Sequence, residues 1–246
     1  MWRLIKKEIR ENYLYLSVFL GVLFVVSLYA TFRKVWKPEE ALFLSLVLAG
    51  IGGAVLIFYG IYRGFGSIKR EKDKNTLEFL MSLPIGGFEV ISSKFLAFSL
   101  EVIAGSALIY IFSILPPLRI SFMKIMSWYD FVRLLRFVFL VNLGLVLGAM
   151  FVYVVFNLFE ILNISLGIKG FFLSIVAFFL YIYLTFRLLS YFKSILGFIP
   201  EKVFEIGFLG QSLDFKADFN GLAAGALLSL LYLGVSIMLY NKKMEV

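Results

Sequence analysis

Long apolar runs alternate along the chain with short charged stretches. Six runs, near 12–32, 41–62, 95–115, 137–159, 170–189 and 220–240, hold 20 to 23 residues each. A helix rises about 1.5 Å per residue, so about 20 apolar residues cross the roughly 30 Å of hydrocarbon in a bilayer. The runs are solidly apolar rather than alternating, and they are about twice as long as a tilted barrel strand needs. The pattern predicts an all-α integral membrane protein with six transmembrane helices, forming a single transmembrane domain over 1–246. The first run exceeds the apolar core of a signal peptide and no small-residue cleavage site follows it, so it reads as a span.

The polar positions predict what lies between the spans. In the first eleven residues, Trp2, Ile5 and Ile9 recur at helical spacing while Arg3, Lys6, Lys7 and Arg10 fall on another face. This reads as an N-terminal interfacial helix with its cations at lipid phosphates, or as an ordinary basic flank of the first span. The stretch 63–94 is the most charged in the chain and carries two short amphipathic patterns. Thr76 is placed to cap a turn in which Leu77, Leu80 and Met81 share a face and Glu78 stands near its positive end. Pro84 stops or restarts the helix. Ile85, Phe88, Ile91 and Phe95 then recur at spacings of three, three and four, with Glu89, Ser93 and Lys94 off that stripe. The reading is a helix, a break and a second helix at the membrane surface, or a plain amphipathic lead-in to the third span. Further on, 190–219 is too long for a turn and its apolar patches are too short to span, so it forms either a shallow re-entrant hairpin or an interfacial loop. Phe122, Ile125, Tyr129 and Val132, with Trp128 beside them, form a stripe suited to the opposite interface.

Composition narrows the chemistry. The chain is 61% hydrophobic and 16% charged and has neither His nor Cys. That excludes a thiol nucleophile, an imidazole base, a disulfide and Cys/His metal ligation, and no cofactor is expected. No G-x-x-x-x-G-K-[ST] phosphate loop occurs, so the chain is not itself a P-loop ATPase. The net charge of +8 fits basic loops against anionic membrane lipid better than nucleic acid, which is not an expected partner. With the N-terminus inside, 13 of the 24 Lys and Arg fall on the cytoplasmic side, ten of them in 3–10 and 63–94. This predicts that both termini are cytoplasmic in the cell membrane.

The run from Ile68 through Glu71, Thr76, Leu77, Glu78, Leu80 and Pro84, followed by Glu89 and Lys94, resembles the cytoplasmic signature between spans two and three of type-2 ABC exporter permeases. Members of that family typically read as a basic-acidic run, Gly-Thr-Leu-Glu, a leucine-rich turn, Pro, a short coupling helix and Lys at the next span. The resemblance implies six spans per permease, two permeases per transporter (a second copy or a homologue), and a separate ABC ATPase subunit docked under the coupling helix. It places Glu71, Thr76, Leu77, Glu78, Leu80, Pro84, Ile85, Phe88, Glu89 and Lys94 at that contact. Two positions depart from the family. Asn75 stands where Gly is usual, a swap tolerated because Asn is at ease with positive φ. Gly86 and Gly87 stand where a hydroxyl residue and a cation are frequent, and they weaken the helix start.

Inside the spans, Glu101 must face protein or a cavity. It reads as a contact in a substrate path or between permeases, or as a residue near enough to the cytoplasmic end to meet water or cations. Asn142 and Asn157 suit hydrogen bonds between helices, and Gly144-x-x-x-Gly148 and Gly221-x-x-x-Gly225 suit close helix packing. The expected function is therefore export of an apolar or amphipathic cargo by alternating access, driven by ATP hydrolysis in a partner. The alternatives are an ATP-independent secondary transporter or channel, or a membrane enzyme or biogenesis factor; the missing His and Cys argue against the enzyme.

Overall fold

The computed structural model describes residues 1–32, 38–66, 68, 70–71, 86–122, 128–166, 171–197, 202–208 and 211–244. Six helices in this set are long and apolar enough to cross a membrane. They are α1 (Trp2–Phe32), α2 (Pro38–Gly66), α3 (Gly87–Phe122), α4 (Trp128–Ser165), α5 (Phe171–Ile195) and α6 (Phe219–Met244). Helix is the natural outcome, because a backbone in hydrocarbon must satisfy its polar groups within its own segment. The chain is thus a multi-pass membrane bundle.

Several helices run past the apolar stretches that announce them. Over its 31 residues, about 46 Å at the helical rise, α1 absorbs the basic opening segment without a break. Likewise α3 starts at Gly87, so the pattern through Phe88, Ile91 and Phe95 belongs to the first turns of the third span helix, and α4 absorbs Trp128 and Tyr129. Ile91 is buried while Phe88 is 61% exposed, so that stripe does not present one face. Between α5 and α6 the described residues form an antiparallel ribbon of β1 (Lys202–Phe208) and β2 (Gln211–Ala217), with Phe204 opposite Phe215. Phe204, Ile206 and Phe208 recur with period two, a signal hidden when the region is judged only by whether its patches are long enough to span.

The core lies among α1, α2, α3, α4 and α6. Leu16 and Leu23 share one buried cluster with Leu48, Leu56, Phe98, Val102, Val146 and Leu228, and Phe98 stacks on Tyr153 at 4.3 Å. The closest packing is between α2 and α4, with α1 laid along α3. By contrast α5 is peripheral, held by Tyr181, whose hydroxyl donates to the Val155 carbonyl at 2.9 Å, and by the Thr185 to Tyr232 hydroxyl pair at 2.9 Å.

Two prolines sit inside α3, at 116 and 117, both fully buried. Pro116 has no N–H for the carbonyl of Phe112 one turn back. Ser27 of α1 fills the vacancy, its hydroxyl donating to the Phe112 carbonyl at 2.6 Å. Ser27→Ala is expected to cost about 1–3 kcal/mol in equilibrium unfolding in mixed micelles, since it strands a buried acceptor. In a Pro116→Ala background the helix supplies its own donor, and the same change should cost much less.

Candidate functional site

The inward stripe of α1 runs Ile5, Glu8, Asn12, Leu16, so its first turns point a carboxylate and an amide at the bundle. Arg3, Lys6 and Arg10 face outward. On α2, Tyr59 and Arg63 are one turn apart, and on α3 Lys94 and Glu101 are two turns apart, so each pair shares a face. These faces converge at one end of the bundle. Lys94 Nζ lies 2.5 Å from Glu8 Oε1 and 3.2 Å from Glu71 Oε1. Arg63 reaches Glu8 Oε2 and Glu101 Oε2, each at 3.3 Å. Tyr59 donates its hydroxyl to Glu101 Oε2 at 2.6 Å, and Lys7 reaches Glu71 Oε1 at 3.2 Å. Asn12 joins as an acceptor for Arg70 at 2.6 Å, and the Arg70 guanidinium lies 4.6 Å over the Tyr62 ring.

Three carboxylates thus meet Lys7, Arg63 and Lys94, with Arg70 joined through Asn12. Arg63 is 2% exposed and Lys94 is 4% exposed. Burying such charges is costly unless geometry and hydrogen bonding are both good, and every carboxylate here has at least one cation at contact distance. Contacts shared among three helices suit a mechanical tie. Among the described residues, no group of three His, Cys, Asp or Glu is placed to hold a metal ion.

The tie secures both flanks of the charged stretch between α2 and α3. On the near flank, Glu71 bonds Lys7 and Lys94, and the Ile68 N–H donates to Glu160 of α4 at 3.3 Å. On the far flank, the Gly87 N–H donates to Asn241 of α6 at 2.7 Å. A Cβ at Gly87 would fall 2.5 Å from Asn241 Oδ1, so this departure from the permease pattern has a local reason: only Gly lets α6 cap the start of α3. Ile68, Val90, Ile91, Ile161 and Tyr240 pack beneath.

The other expected positions scatter. Thr76, Leu77, Glu78, Leu80, Pro84 and Ile85 lie outside the described residues. Phe88 is exposed and Glu89 half-buried at the head of α3. Glu101 meets Tyr59 and the Arg63 cation of its own chain. Asn142 donates to the Ser106 carbonyl of α3 at 2.9 Å, and Asn157 is buried where α4 crosses Gly64.

The glycine motifs read for packing do not pack. A Cβ at Gly144, Gly148 or Gly225 would meet nothing within 4 Å, and one at Gly221 would meet only the neighbouring Asp218. The close approaches are on α2, where a Cβ at Gly60 would stand 2.8 Å from the Ala149 carbonyl and one at Gly64 2.8 Å from that of Tyr153. Gly60-x-x-x-Gly64 is the same motif in the second span, and it was there to be read.

Sequence reasoning missed Glu8, Tyr59 and Arg63 as site residues. The available signal was Glu8 and Asn12, one turn apart on the stripe that continues through Leu16 and Leu23 of the first span. In comparisons with family models, with curated proteins and with solved structures, nothing matches this chain.

Proposed function

We propose that the chain is the permease subunit of an ATP-driven exporter, working with a second permease and a separate ATPase. The observation that carries this reading is the ionic tie at both flanks of 72–85. A push on that stretch from a docked ATPase has a stiff route into α1, α2 and α3 through Glu71, Lys94, Glu8 and Arg63. The likeness of the run from Ile68 to Lys94 to the permease signature supports the same reading, as do six apolar helices. Cytoplasmic N- and C-termini fit this reading, since Lys and Arg concentrate in 3–10 and 63–94. The scarcity of charge elsewhere in the spans favours an apolar or amphipathic cargo.

Co-expression with a P-loop ATPase encoded beside the chain tests this. The pair should co-purify, and Leu80→Asp with Phe88→Asp should abolish the association while the permease keeps its unfolding midpoint. Unchanged co-purification of that variant would remove the docking model.

The buried pairs Arg63–Glu101 and Lys94–Glu8 also favour a second reading, an ion-coupled transporter needing no ATPase, because charges within spans mark ion pathways. Position weighs against it. Transporter sites lie near the bilayer midplane, whereas this cluster gathers at the end where α2 stops and α3 begins. Uptake by vesicles of the chain alone, driven by an ion gradient without nucleotide, would decide for the second reading.

A further inference from the structure

A groove of about 320 Å³ opens on the flank of the bundle where α4, α5 and α6 meet. Leu147, Gly148 and Phe151 form one wall, Leu189 another, and the face of α6 from Gly221 to Leu233 the third. No charged side chain lines it, and its one hydroxyl, Ser229, is spent on the Gly225 carbonyl at 2.8 Å. A concavity without polar partners accepts hydrocarbon and rejects polar ligands. Gly148 and Gly225 hold this space open, since a Cβ on either would touch nothing within 4 Å. Along α6 the lining covers twelve residue steps, about 18 Å at the helical rise, close to the roughly 15 Å depth of one leaflet of hydrocarbon.

The Gly221 end of the groove, at the end of α6 opposite Asn241, adjoins a charged pair. Asp218 caps α6, accepting the Gly221 N–H at 2.9 Å, and its other oxygen lies 2.5 Å from Lys193 Nζ. The Lys193 hydrogen bond, with that from the Gly221 backbone, holds the Asp218 carboxyl below the usual aspartate range, so the pair stays ionised at neutral pH. Both side chains remain about half exposed. The groove therefore offers one chain-length apolar slot with a positive and a negative charge beside its Gly221 end. An anionic headgroup would meet Asp218, an uncharged one would gain nothing from the pair, and a zwitterion matches both charges.

We propose that this groove seats one acyl chain of a zwitterionic membrane phospholipid from the leaflet on the Lys193–Asp218 side, its phosphate toward Lys193 and its ammonium toward Asp218. Lipid tails are as apolar as Leu, so the site gains nothing from burial as such. Selection comes from the shape of the slot and from the charge pair. The proposal goes beyond the permease reading and does not depend on it.

The test is photolabelling in nanodiscs, with the full chain and a trace of phosphatidylethanolamine carrying a diazirine within one acyl chain. Label should concentrate on 147–151 and 221–233, about tenfold over the equally lipid-exposed stretch from Val18 to Val25, equivalent to about 1.4 kcal/mol of preference. Unlabelled phosphatidylethanolamine should compete it away. Gly225→Leu and Gly148→Leu, which grow into open space, should bring the label down to the Val18–Val25 level with the unfolding midpoint unchanged. Asp218→Asn should let a phosphatidylglycerol probe label as well as the zwitterion. Wild-type labelling no higher than along Val18–Val25, or labelling that unlabelled lipid does not compete, overturns the proposal whatever the variants do. Neither nucleotide nor ATPase enters the measurement, so its failure leaves the permease reading untouched, and loss of ATPase association leaves this one untouched.

Discussion

Arg63→Met is expected to lower the stability of the folded chain by roughly 3–5 kcal/mol, the usual penalty for removing one partner from a buried ion pair. Arg63 serves two carboxylates at 3.3 Å each, and both belong to other helices. Without the guanidinium, Glu101 keeps only the Tyr59 hydroxyl, and Glu8 must share Lys94 with Glu71. The cost should therefore come from the carboxylates left behind rather than from the lost side chain. Glu101→Gln tests that assignment: Gln still offers Tyr59 an acceptor but carries no charge to strand. In the double variant much of the loss should return, because matched removal of a buried pair is nearly neutral in many proteins. Equilibrium unfolding of the four chains in mixed micelles closes the cycle. A double variant no more stable than Arg63→Met would show that Arg63 acts by packing, and the ionic tie would lose its energetic basis.

That cycle turns on residues whose partners the sequence does not reveal. The six spans are legible because span length is a one-dimensional property, set by the thickness of hydrocarbon and read directly from apolar runs. Helix ends are less legible, because the same helix continues into the headgroup layer, where polar residues are welcome; α1 and α3 both begin well before their apolar stretches. The candidate site is legible in part. Glu71 and Lys94 stand out within the charged stretch, and Glu101 stands out by being an acid within a span. Arg63 and Glu8 do not, since near the end of a span a cation looks like a basic flank and an acid looks like part of a wet surface. Counting Lys and Arg for orientation treats Arg63 and Lys94 as cations facing lipid headgroups, whereas both are spent on carboxylates inside the bundle. Only the rotation of three helices about their axes, fixed by all their apolar contacts together, brings those side chains to one place.

Two features at the flanks of the charged stretch have local causes. Gly87 is small because Asn241 closes on it, and Glu71 is buried because Lys7 and Lys94 close on it. Both choices fix the flanks of the charged stretch to the bundle. Under the permease reading, motion of that stretch reaches α1, α2 and α3 through these paired carboxylates.

Gly64→Val should be the most damaging of the glycine substitutions along α2, and its effect should reach the ionic tie. A Cβ at Gly64 would stand 2.7 Å from that of Phe156 and 2.8 Å from the Tyr153 carbonyl, and one at Gly60 2.8 Å from the Ala149 carbonyl. Backbone cannot swing aside as a side chain can, so α2 and α4 must separate, at about 1–3 kcal/mol for each position by the usual cost of overpacking. Gly144→Ala is the matched control, because its Cβ enters open space and should change stability by less than about 0.5 kcal/mol. Gly53 is an intermediate case, since what its Cβ would meet is the Leu145 side chain, which has other rotamers. The sharper readout comes from Arg63, the residue before Gly64. Pushing α2 off α4 turns and shifts the guanidinium with the backbone that carries it, while Glu8 and Glu101 stay on α1 and α3. The Arg63–Glu101 coupling energy measured in a Gly64→Ala background should therefore shrink relative to wild type. An unchanged coupling would mean that α2 accommodates the methyl by bending beyond Arg63, and that the glycine contact and the ionic tie are mechanically independent.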